Sequence, residues 1–272
     1  MKEKPTGIGE GQLIRRLPDG QLQYAHDELT IEAPLEIRIG DKTVATTMRT
    51  PGHDEELATG FLLAEDVIKR ADDVAGFQRG ASGNGSLSVQ LRAGLVFKPE
   101  AGARLGTISS SCGLCGKPDL AGVIANVQPL AFNAGPRVTM ETLLQLPAKL
   151  REAQSDFERT GGLHAAGLFT FDGETRVVRE DIGRHNAADK AIGRALLDGM
   201  IPLARHILMV SGRLSFEIMQ KALAARVPVV ASVSAPSTLA VEFARASGQC
   251  VIGFLRPPTC NLYTHTEWIV LD

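Results

Sequence analysis

Alternation of apolar and polar residues predicts a β-rich first half of the chain. Residues 28–39 alternate around leucine and isoleucine, turn at Gly40-Asp41, and continue into a second run at residues 43–49. Because neighbouring side chains of a strand point to opposite faces, this pattern predicts a β-hairpin. A helix is expected after this hairpin, and residues 87–91 predict a further strand.

The second half of the chain alternates between helical and strand patterns. Asp172-Gly173 is a strong hairpin signal between two runs, residues 163–171 and 174–179. The elements predicted after it are helix 184–197, strand 206–210, helix 216–225, strand 227–233, helix 237–246 and strand 250–255. Such alternation favours parallel strands covered by helices. We therefore expect an α/β fold with a mostly parallel sheet over residues 136–272, after a β-rich α+β part over residues 1–135.

Pro147 divides the helical pattern that precedes this half. Thr139 is a good N-cap for a helix over residues 140–146, because its hydroxyl oxygen can accept from a free backbone N–H. Proline suits the first turn of a helix, since the N–H that it lacks has no intrahelical partner there. The sequence therefore predicts two helices, with Pro147 at the start of the second.

Cys112 and Cys115 form a Cys-x-x-Cys pair in a stretch rich in serine and glycine, residues 109–117. Glycines beside both thiols relax the backbone. Lys117 and the local N–H groups favour the thiolate, which is the nucleophilic form of cysteine. A reactive pair of thiols is therefore one interpretation of this stretch.

Three other interpretations of the pair remain open. A structural zinc site needs about four ligands, and the rest of the chain offers only Cys250, Cys260 and scattered histidines. A thioredoxin-type dithiol opens a helix, whereas Pro118 and Asp119 follow this pair. A structural disulfide suits an oxidising compartment, and nothing in the sequence indicates secretion.

Composition excludes several classes of protein. The chain has 272 residues, 44% of them hydrophobic, and a net charge of −2, which is typical of a soluble globular protein and not of one that binds nucleic acid. The first ten residues lack the apolar core of a signal peptide, and no run of about 18 apolar residues predicts a membrane span. We expect a cytoplasmic protein without a nucleic-acid or membrane partner.

Small polar residues follow two successive predicted strands. Ser211, Gly212 and Arg213 come after the strand that ends at Val210, and Ser234 begins a similar stretch. Exposed N–H groups at a helix start bind phosphate, and an arginine adds bidentate contacts. Serines before a helix are also ordinary caps. Their recurrence at equivalent strand ends strengthens the interpretation that they bind a ligand. The sequence lacks the glycine-rich fingerprints of dinucleotide and P-loop sites.

Residues 180–190 carry more polar groups than helix capping requires. On a helix, His185 and Asp189 lie one turn apart, as do Asn186 and Lys190. A solvated helix face with an ion pair and a polar binding site both explain this spacing. His164 stands alone, and an isolated histidine is more often a satisfied core residue than a catalytic one.

Taken together, five short motifs resemble the FdhD family of formate dehydrogenase accessory sulfurtransferases. They occur in the family's order at residues 110–116, 160–166, 180–190, 211–213 and 234–236. The similarity runs from about Thr50 to His265. No single motif is specific, but the combination is.

The resemblance implies a cytoplasmic homodimer with a cytidine-deaminase-like core. Such a protein takes sulfur from a cysteine desulfurase and passes it to the molybdenum or tungsten bis-pterin guanine dinucleotide cofactor, which is then delivered to apo formate dehydrogenase. By this match Cys112 carries the persulfide and Cys115 assists. A cofactor-binding chaperone without thiol chemistry and a thiol oxidoreductase remain as alternatives.

The resemblance also implies residues that contact the cofactor, and GDP serves as a mimic of its nucleotide end. The resemblance implies contacts from Phe254, Leu255, Arg256, Pro257, Pro258 and Thr259. The polar strand ends and the polar helix start described above add Ser211, Gly212, Arg213, Ser234, His185 and Asn186 as expected contacts. The chain departs from the family pattern at residues 257–260, where prolines replace a segment rich in glycine and arginine. No bound zinc is expected, because His164 lacks the His-x-Glu context of a zinc deaminase.

Overall fold

The structure is a computed structural model that describes residues 7–80, 85–97, 127–132 and 135–271. Cys112 and Cys115 lie outside these described residues. Within the described part, no helix is long and apolar enough to cross a bilayer.

The first half of the described chain is β-rich, as its alternation predicts. Its elements are β1 (Ile8–Arg16), β2 (Leu22–Thr30), β3 (Ala33–Ile39), β4 (Lys42–Arg49), α1 (Asp54–Ala64), β5 (Val74–Arg79) and β6 (Ser86–Leu91). The predicted hairpin at Gly40-Asp41 is confirmed as β3 and β4, within a sheet of order β4-β3-β6-β5.

The predicted strand over residues 28–39 is wrong as a single element, because it is divided between two sheets. Strand β2 pairs with β1 in a separate two-stranded sheet, whereas β3 pairs with β4 and β6. The apolar residues keep the same alternation on both sides of the break at residues 31–32. The pattern therefore gives no sign that the chain changes sheets there.

The second half forms one six-stranded sheet with helices packed on it. The strands are β8 (His164–Thr170), β9 (Thr175–Asp181), β10 (His206–Val210), β11 (Val229–Ser232), β12 (Cys250–Arg256) and β13 (Thr259–Thr264), after the short β7 (Val138–Thr139). The helices are α2 (Met140–Glu152), α3 (Ser155–Thr160), α4 (Arg184–Leu197), α5 (Phe216–Ala224) and α6 (Thr238–Ser247). Strand β14 (Ile269–Val270) pairs with β7.

The sheet is mixed, so the prediction of a mostly parallel sheet is wrong. Its order is β13-β12-β11-β10-β8-β9, and only the pairs β10–β11 and β11–β12 are parallel. The hairpins β8–β9 and β12–β13 make antiparallel pairs at the two sides, because a short turn reverses the chain. The further likeness to the cytidine deaminase fold stays a prediction.

Helix α2 runs through Pro147, which corrects the prediction of two helices. Leu143, Leu146 and Leu150 are all buried on one side of this continuous helix. Their packing stabilises the turn in which proline cannot donate a hydrogen bond. The predicted N-cap is confirmed, since the backbone N–H of Thr142 donates to Thr139 Oγ1 at 3.1 Å.

Helices α1 and α4 pack closely against each other. A Cβ atom added at Gly60 would overlap the backbone of Asp189, and one added at Gly193 would overlap that of Glu56. Glycine at both positions therefore lets the two helix backbones approach. Buried apolar side chains from both halves of the chain form one cluster around this contact. The predicted domain boundary at residue 135 stays a prediction.

Candidate functional site

One edge of the six-stranded sheet collects the polar strand ends. The C-terminal ends of β9 to β12 lie there, together with the N-terminal ends of the antiparallel strands β8 and β13. The loops are joined by backbone hydrogen bonds, from Leu214 N to Ala235 O at 3.1 Å and from Phe254 N to Ser234 O at 2.9 Å. The expected convergence of the segments that begin at Ser211 and Ser234 is confirmed.

We call this place the strand-end site and define it by His164, Arg184, Ser211, Gly212 and Arg213. Ser211 is held firmly, because its N–H donates to Ala165 O and its Oγ accepts from Ala165 N, both at 2.9 Å. The same Oγ lies 3.5 Å from His164 Nδ1. A Cβ at Gly212 would lie 3.2 Å from both His164 Nδ1 and Arg184 Cδ, so the missing side chain leaves room for both neighbours.

Positive charge is concentrated at the strand-end site. Burial lowers the pKa of His164, and the charges of Arg184 and Arg213 lower it further against the opposing charge of Asp181. Burial and Arg213 also lower the pKa of Arg184. The Nε atom of Arg184 is buried and meets no hydrogen-bond acceptor among the described residues. These features suit an anionic ligand, which would supply both charge and acceptors.

The serines beside this site have different roles. Ser215 and Ser237 are helix caps that accept from Ile218 N at 3.5 Å and from Ala240 N at 3.2 Å. Ser211 and Ser234 precede these caps and do not cap either helix. The cap interpretation is therefore confirmed for Ser215 and Ser237, and ligand binding by Ser211 and Ser234 stays a prediction.

His185 and Asn186 are buried and bonded inside the protein. His185 Nε2 lies 2.9 Å from Ser215 Oγ and 3.8 Å from a carboxylate oxygen of Glu217. Asn186 Nδ2 donates to Met48 O at 2.8 Å and to Asp181 Oδ1 at 3.0 Å. The structure gives both residues a positioning role, and their contact with a cofactor stays a prediction.

The interpretation of residues 180–190 as a solvated helix face is wrong. Asp189 and Lys190 are 3% and 1% exposed. Asp189 pairs with Lys221 at 2.8 Å, and Lys190 pairs with Asp181 at 2.7 Å. The helical spacing is as predicted, but α1 and α5 cover the face that carries these charges.

The stretch from Phe254 to Thr259 forms the end of β12 and its turn into β13. Phe254 has a positive φ of 49° and is 40% exposed, whereas the side chain of Leu255 is fully buried. Arg256 Nε donates to Val233 O at 2.8 Å, which holds the turn beside β11. Phe254 and Arg256 thus face solvent at the sheet edge, and Leu255 has only its backbone to offer a ligand.

The two described cysteines are poor nucleophiles. Cys250 is fully buried, and burial raises the pKa of its thiol to about 12. Burial also raises the pKa of Cys260, whose Sγ lies 3.7 Å from Met140 Sδ. Burial therefore disfavours the thiolate form of both cysteines.

Zinc is expected to be absent from the purified protein. No group of three or more histidine, cysteine, aspartate or glutamate side chains converges in the described part of the chain. Because Cys112 and Cys115 lie outside that part, the absence of zinc stays a prediction. Elemental analysis tests it, and one zinc per chain that is lost on Cys112→Ser would contradict it.

Comparison with known proteins identifies relatives that are similar over most of the chain. The sulfur carrier protein FdhD of Streptomyces avermitilis is 46% identical over 272 residues, which cover 97% of this chain and 96% of that protein. The protein of the same name from Sulfurisphaera tokodaii is 42% identical over 247 residues, or 90% of this chain and 92% of its own.

A solved structure and a family model agree with these relatives. A formate dehydrogenase accessory protein from Desulfotalea psychrophila has the same fold, with a TM-score of 0.74 at 23% identity over 97% of this chain and 99% of that chain. A sequence model described as the FdhD/NarQ family matches residues 30–270. The chain belongs to the FdhD/NarQ family.

Proposed function

We propose that this chain is a cytoplasmic sulfur carrier for the maturation of formate dehydrogenase. It takes sulfur from a cysteine desulfurase as a persulfide on Cys112, assisted by Cys115, and acts as a homodimer. The acceptor is the molybdenum or tungsten bis-pterin guanine dinucleotide cofactor of the apo dehydrogenase. The observation that carries the proposal is the identity of almost half of the residues with proteins named sulfur carriers.

The thiol step is a transfer of sulfur between two cysteines. The Cys112 thiolate attacks the outer sulfur of the desulfurase persulfide, a new S–S bond forms, and the desulfurase cysteine leaves as a thiolate. In the second displacement, a nucleophilic centre of the acceptor attacks this outer sulfur and is formally oxidised by two electrons, the S–S bond breaks, and Cys112 leaves as a thiolate. Cys250 and Cys260 are unsuited to this step, because burial raises the pKa of both thiols and so disfavours the nucleophilic thiolate.

The strand-end site supports the acceptor half of the proposal. A bis-pterin guanine dinucleotide carries four phosphates, so it needs a positively charged site with free hydrogen-bond donors. Arg184 and Arg213 supply the charge, and the buried Nε of Arg184 supplies a donor. The deaminase-like alternative of a metal centre at His164 has no support among the described residues.

Incubation with a cysteine desulfurase and cysteine is expected to add sulfur to this protein. Intact-mass spectrometry should show a gain of one sulfur atom, and a thiol reductant should remove it. The sulfur carrier function would be rejected if an active desulfurase gave no reducible adduct. An internal disulfide with cycling redox activity would instead favour a thiol oxidoreductase.

Arg213→Ala is expected to weaken the binding of GDP. The loss of one charge-assisted hydrogen bond of about 1.5 to 3 kcal/mol corresponds to a roughly tenfold to hundredfold loss of affinity. Titration calorimetry measures it. Arg205→Ala is the control, because this exposed arginine precedes β10 at the opposite edge of the sheet.

The thiols and the nucleotide site are separate in this proposal. The protein with both Cys112 and Cys115 replaced by serine should bind GDP with unchanged affinity, and Arg213→Ala should still form the persulfide. Loss of GDP binding in the serine variant, with full binding in Arg213→Ala, would place the nucleotide at the cysteine stretch instead.

A further inference from the structure

The two arginines of the strand-end site lie at the starts of two neighbouring helices. Arg184 is the first residue of α4, and Arg213 lies in the loop that leads into α5. His185, which follows Arg184, has its Nε2 atom 2.9 Å from the Oγ atom of Ser215, the N-cap of α5. This contact joins the two helix starts and so holds the segments that carry the arginines beside each other.

Two arginines held together repel each other. Burial and the charge of Arg213 both lower the pKa of Arg184, as is expected for a cation that is placed beside another cation and partly removed from water. A bound anion would relieve this repulsion. Before an anion binds, the arrangement is destabilised unless the protein supplies negative charge of its own.

Glu217 supplies negative charge at this place. It lies in the first turn of α5 and is only 5% exposed. One of its carboxylate oxygens lies 3.8 Å from His185 Nε2, and the other lies 3.4 Å from Lys221 Nζ. Its charge raises the pKa of Arg184, against the effects of burial and of Arg213. The start of α5 therefore brings a buried carboxylate to the start of α4.

Lys221, the lysine beside Glu217, is engaged by a second carboxylate. Its Nζ atom donates to both carboxylate oxygens of Asp189 at 2.8 Å, which is shorter than its 3.4 Å distance from Glu217. Burial and, to a smaller extent, the charge of Glu217 raise the pKa of Asp189 to about 7. One ammonium group is thus shared by two buried carboxylates, so Lys221 offsets only part of the negative charge that Glu217 exerts on Arg184.

We propose that Glu217 is a built-in counter-charge of the strand-end site, which stabilises the arginines before an anion binds and lowers their affinity for that anion. Glu217 is a positioning residue, because it acts through Arg184 and not by contact with the ligand. A phosphate group that reaches Arg184 is also repelled by this carboxylate. The inference rests on the proposed function, since a carrier that hands its cofactor on requires an affinity low enough for release.

Glu217→Gln tests this role on the full-length protein, with inorganic pyrophosphate as the probe. Glutamine keeps the shape of the side chain but removes its charge, so the affinity for pyrophosphate should rise about threefold to tenfold. Titration calorimetry at low salt measures the change. A merely structural role predicts the opposite sign, because a disturbed start of α5 would weaken binding. Glu217→Ala, which removes the same charge without burying an amide, serves if the glutamine variant does not fold.

Glu141→Gln is the matched control. Glu141 also lies in the first turn of a helix, α2, but it is exposed. The next residue, Thr142, lies beside Gly173 in the turn between β8 and β9, at the opposite edge of the sheet. The control removes the same charge from the protein and should leave the affinity for pyrophosphate unchanged.

The double variant Arg184→Met and Glu217→Gln tests whether the effect passes through the arginine. In the Arg184→Met background, Glu217→Gln should raise the affinity about twofold or less. A full gain in that background, or parental or weaker binding by Glu217→Gln alone, overturns the inference. Failure of the parent to bind pyrophosphate rejects the strand-end site together with it, while sulfur uptake from a desulfurase tests the carrier function separately.

Discussion

Cys112→Ala is expected to abolish persulfide formation with a cysteine desulfurase. The reaction needs an accessible thiolate, and the two described cysteines do not provide one. Cys250 has no exposed surface and a pKa of about 12, and burial raises the pKa of Cys260 as well. Peptide mass spectrometry after incubation with desulfurase and cysteine measures the loss directly.

The control for this experiment is the double variant Cys250→Ala and Cys260→Ser. It removes two thiols but should take up sulfur as the parent protein does. Cys115→Ala should retain the adduct on Cys112 and slow its transfer to the acceptor. Full sulfur uptake on Cys115 in the Cys112→Ala protein would show that the order of the two thiols is the reverse of that proposed.

Helix α4 and strand β10 show where the sequence suffices to predict the fold. Both begin and end as predicted, at Arg184–Leu197 and His206–Val210. Each is a regular apolar pattern bounded by turn residues, and apolar side chains of each join one buried cluster to which α1 of the first half also contributes. Local pattern and tertiary packing therefore agree there.

The hairpin of β1 and β2 shows where the sequence does not suffice. Leu22 and Tyr24 are 71% and 86% exposed, so apolar residues in β2 do not mark a buried face. The strands instead depend on their mutual pairing and on contacts such as that of Thr30 with Thr160, 130 residues away. An alternation of apolar and polar residues that reflects one buried face therefore does not reveal such a hairpin.

The site was predicted where it depends on strand ends and missed where it depends on contacts between distant segments. Ser211 and Ser234 follow successive strands, and that rule alone predicts that they converge. His164 looked like an isolated core histidine, but β8 brings it against Ser211 and Arg184.

The charges of residues 180–190 show a similar limit. Helical spacing gives the residues that share a face, but it does not show what covers that face. Here α1 covers it, because Gly60 and Gly193 allow the two helices to meet. Charges that would be solvated on an isolated helix therefore become buried ion pairs, whose stability depends on complete pairing.

Lys190→Met is expected to lower the free energy of unfolding by about 3 to 5 kcal/mol. Lys190 Nζ lies 2.7 Å from Asp181 Oδ2 and donates to the carbonyl oxygens of Thr50 at 2.9 Å and Glu180 at 3.3 Å. Asp181 has no exposed surface, so the variant leaves a buried carboxylate without its counter-charge. Urea unfolding measures the change.

Lys69→Met is the control, because Lys69 pairs with Asp66 at 3.5 Å and its side chain is 75% exposed. An exposed pair of this kind contributes about 0 to 1 kcal/mol. Asp181→Asn combined with Lys190→Met should cost less than the sum of the two single changes, since the second change removes the charge that the first left unpaired. Equal losses of unfolding free energy for Lys190→Met and Lys69→Met would show that the buried pair does not join Thr50, β9 and α4 as the structure indicates. Strictly additive losses in the double variant of Asp181 and Lys190 would show that these two charges are not coupled.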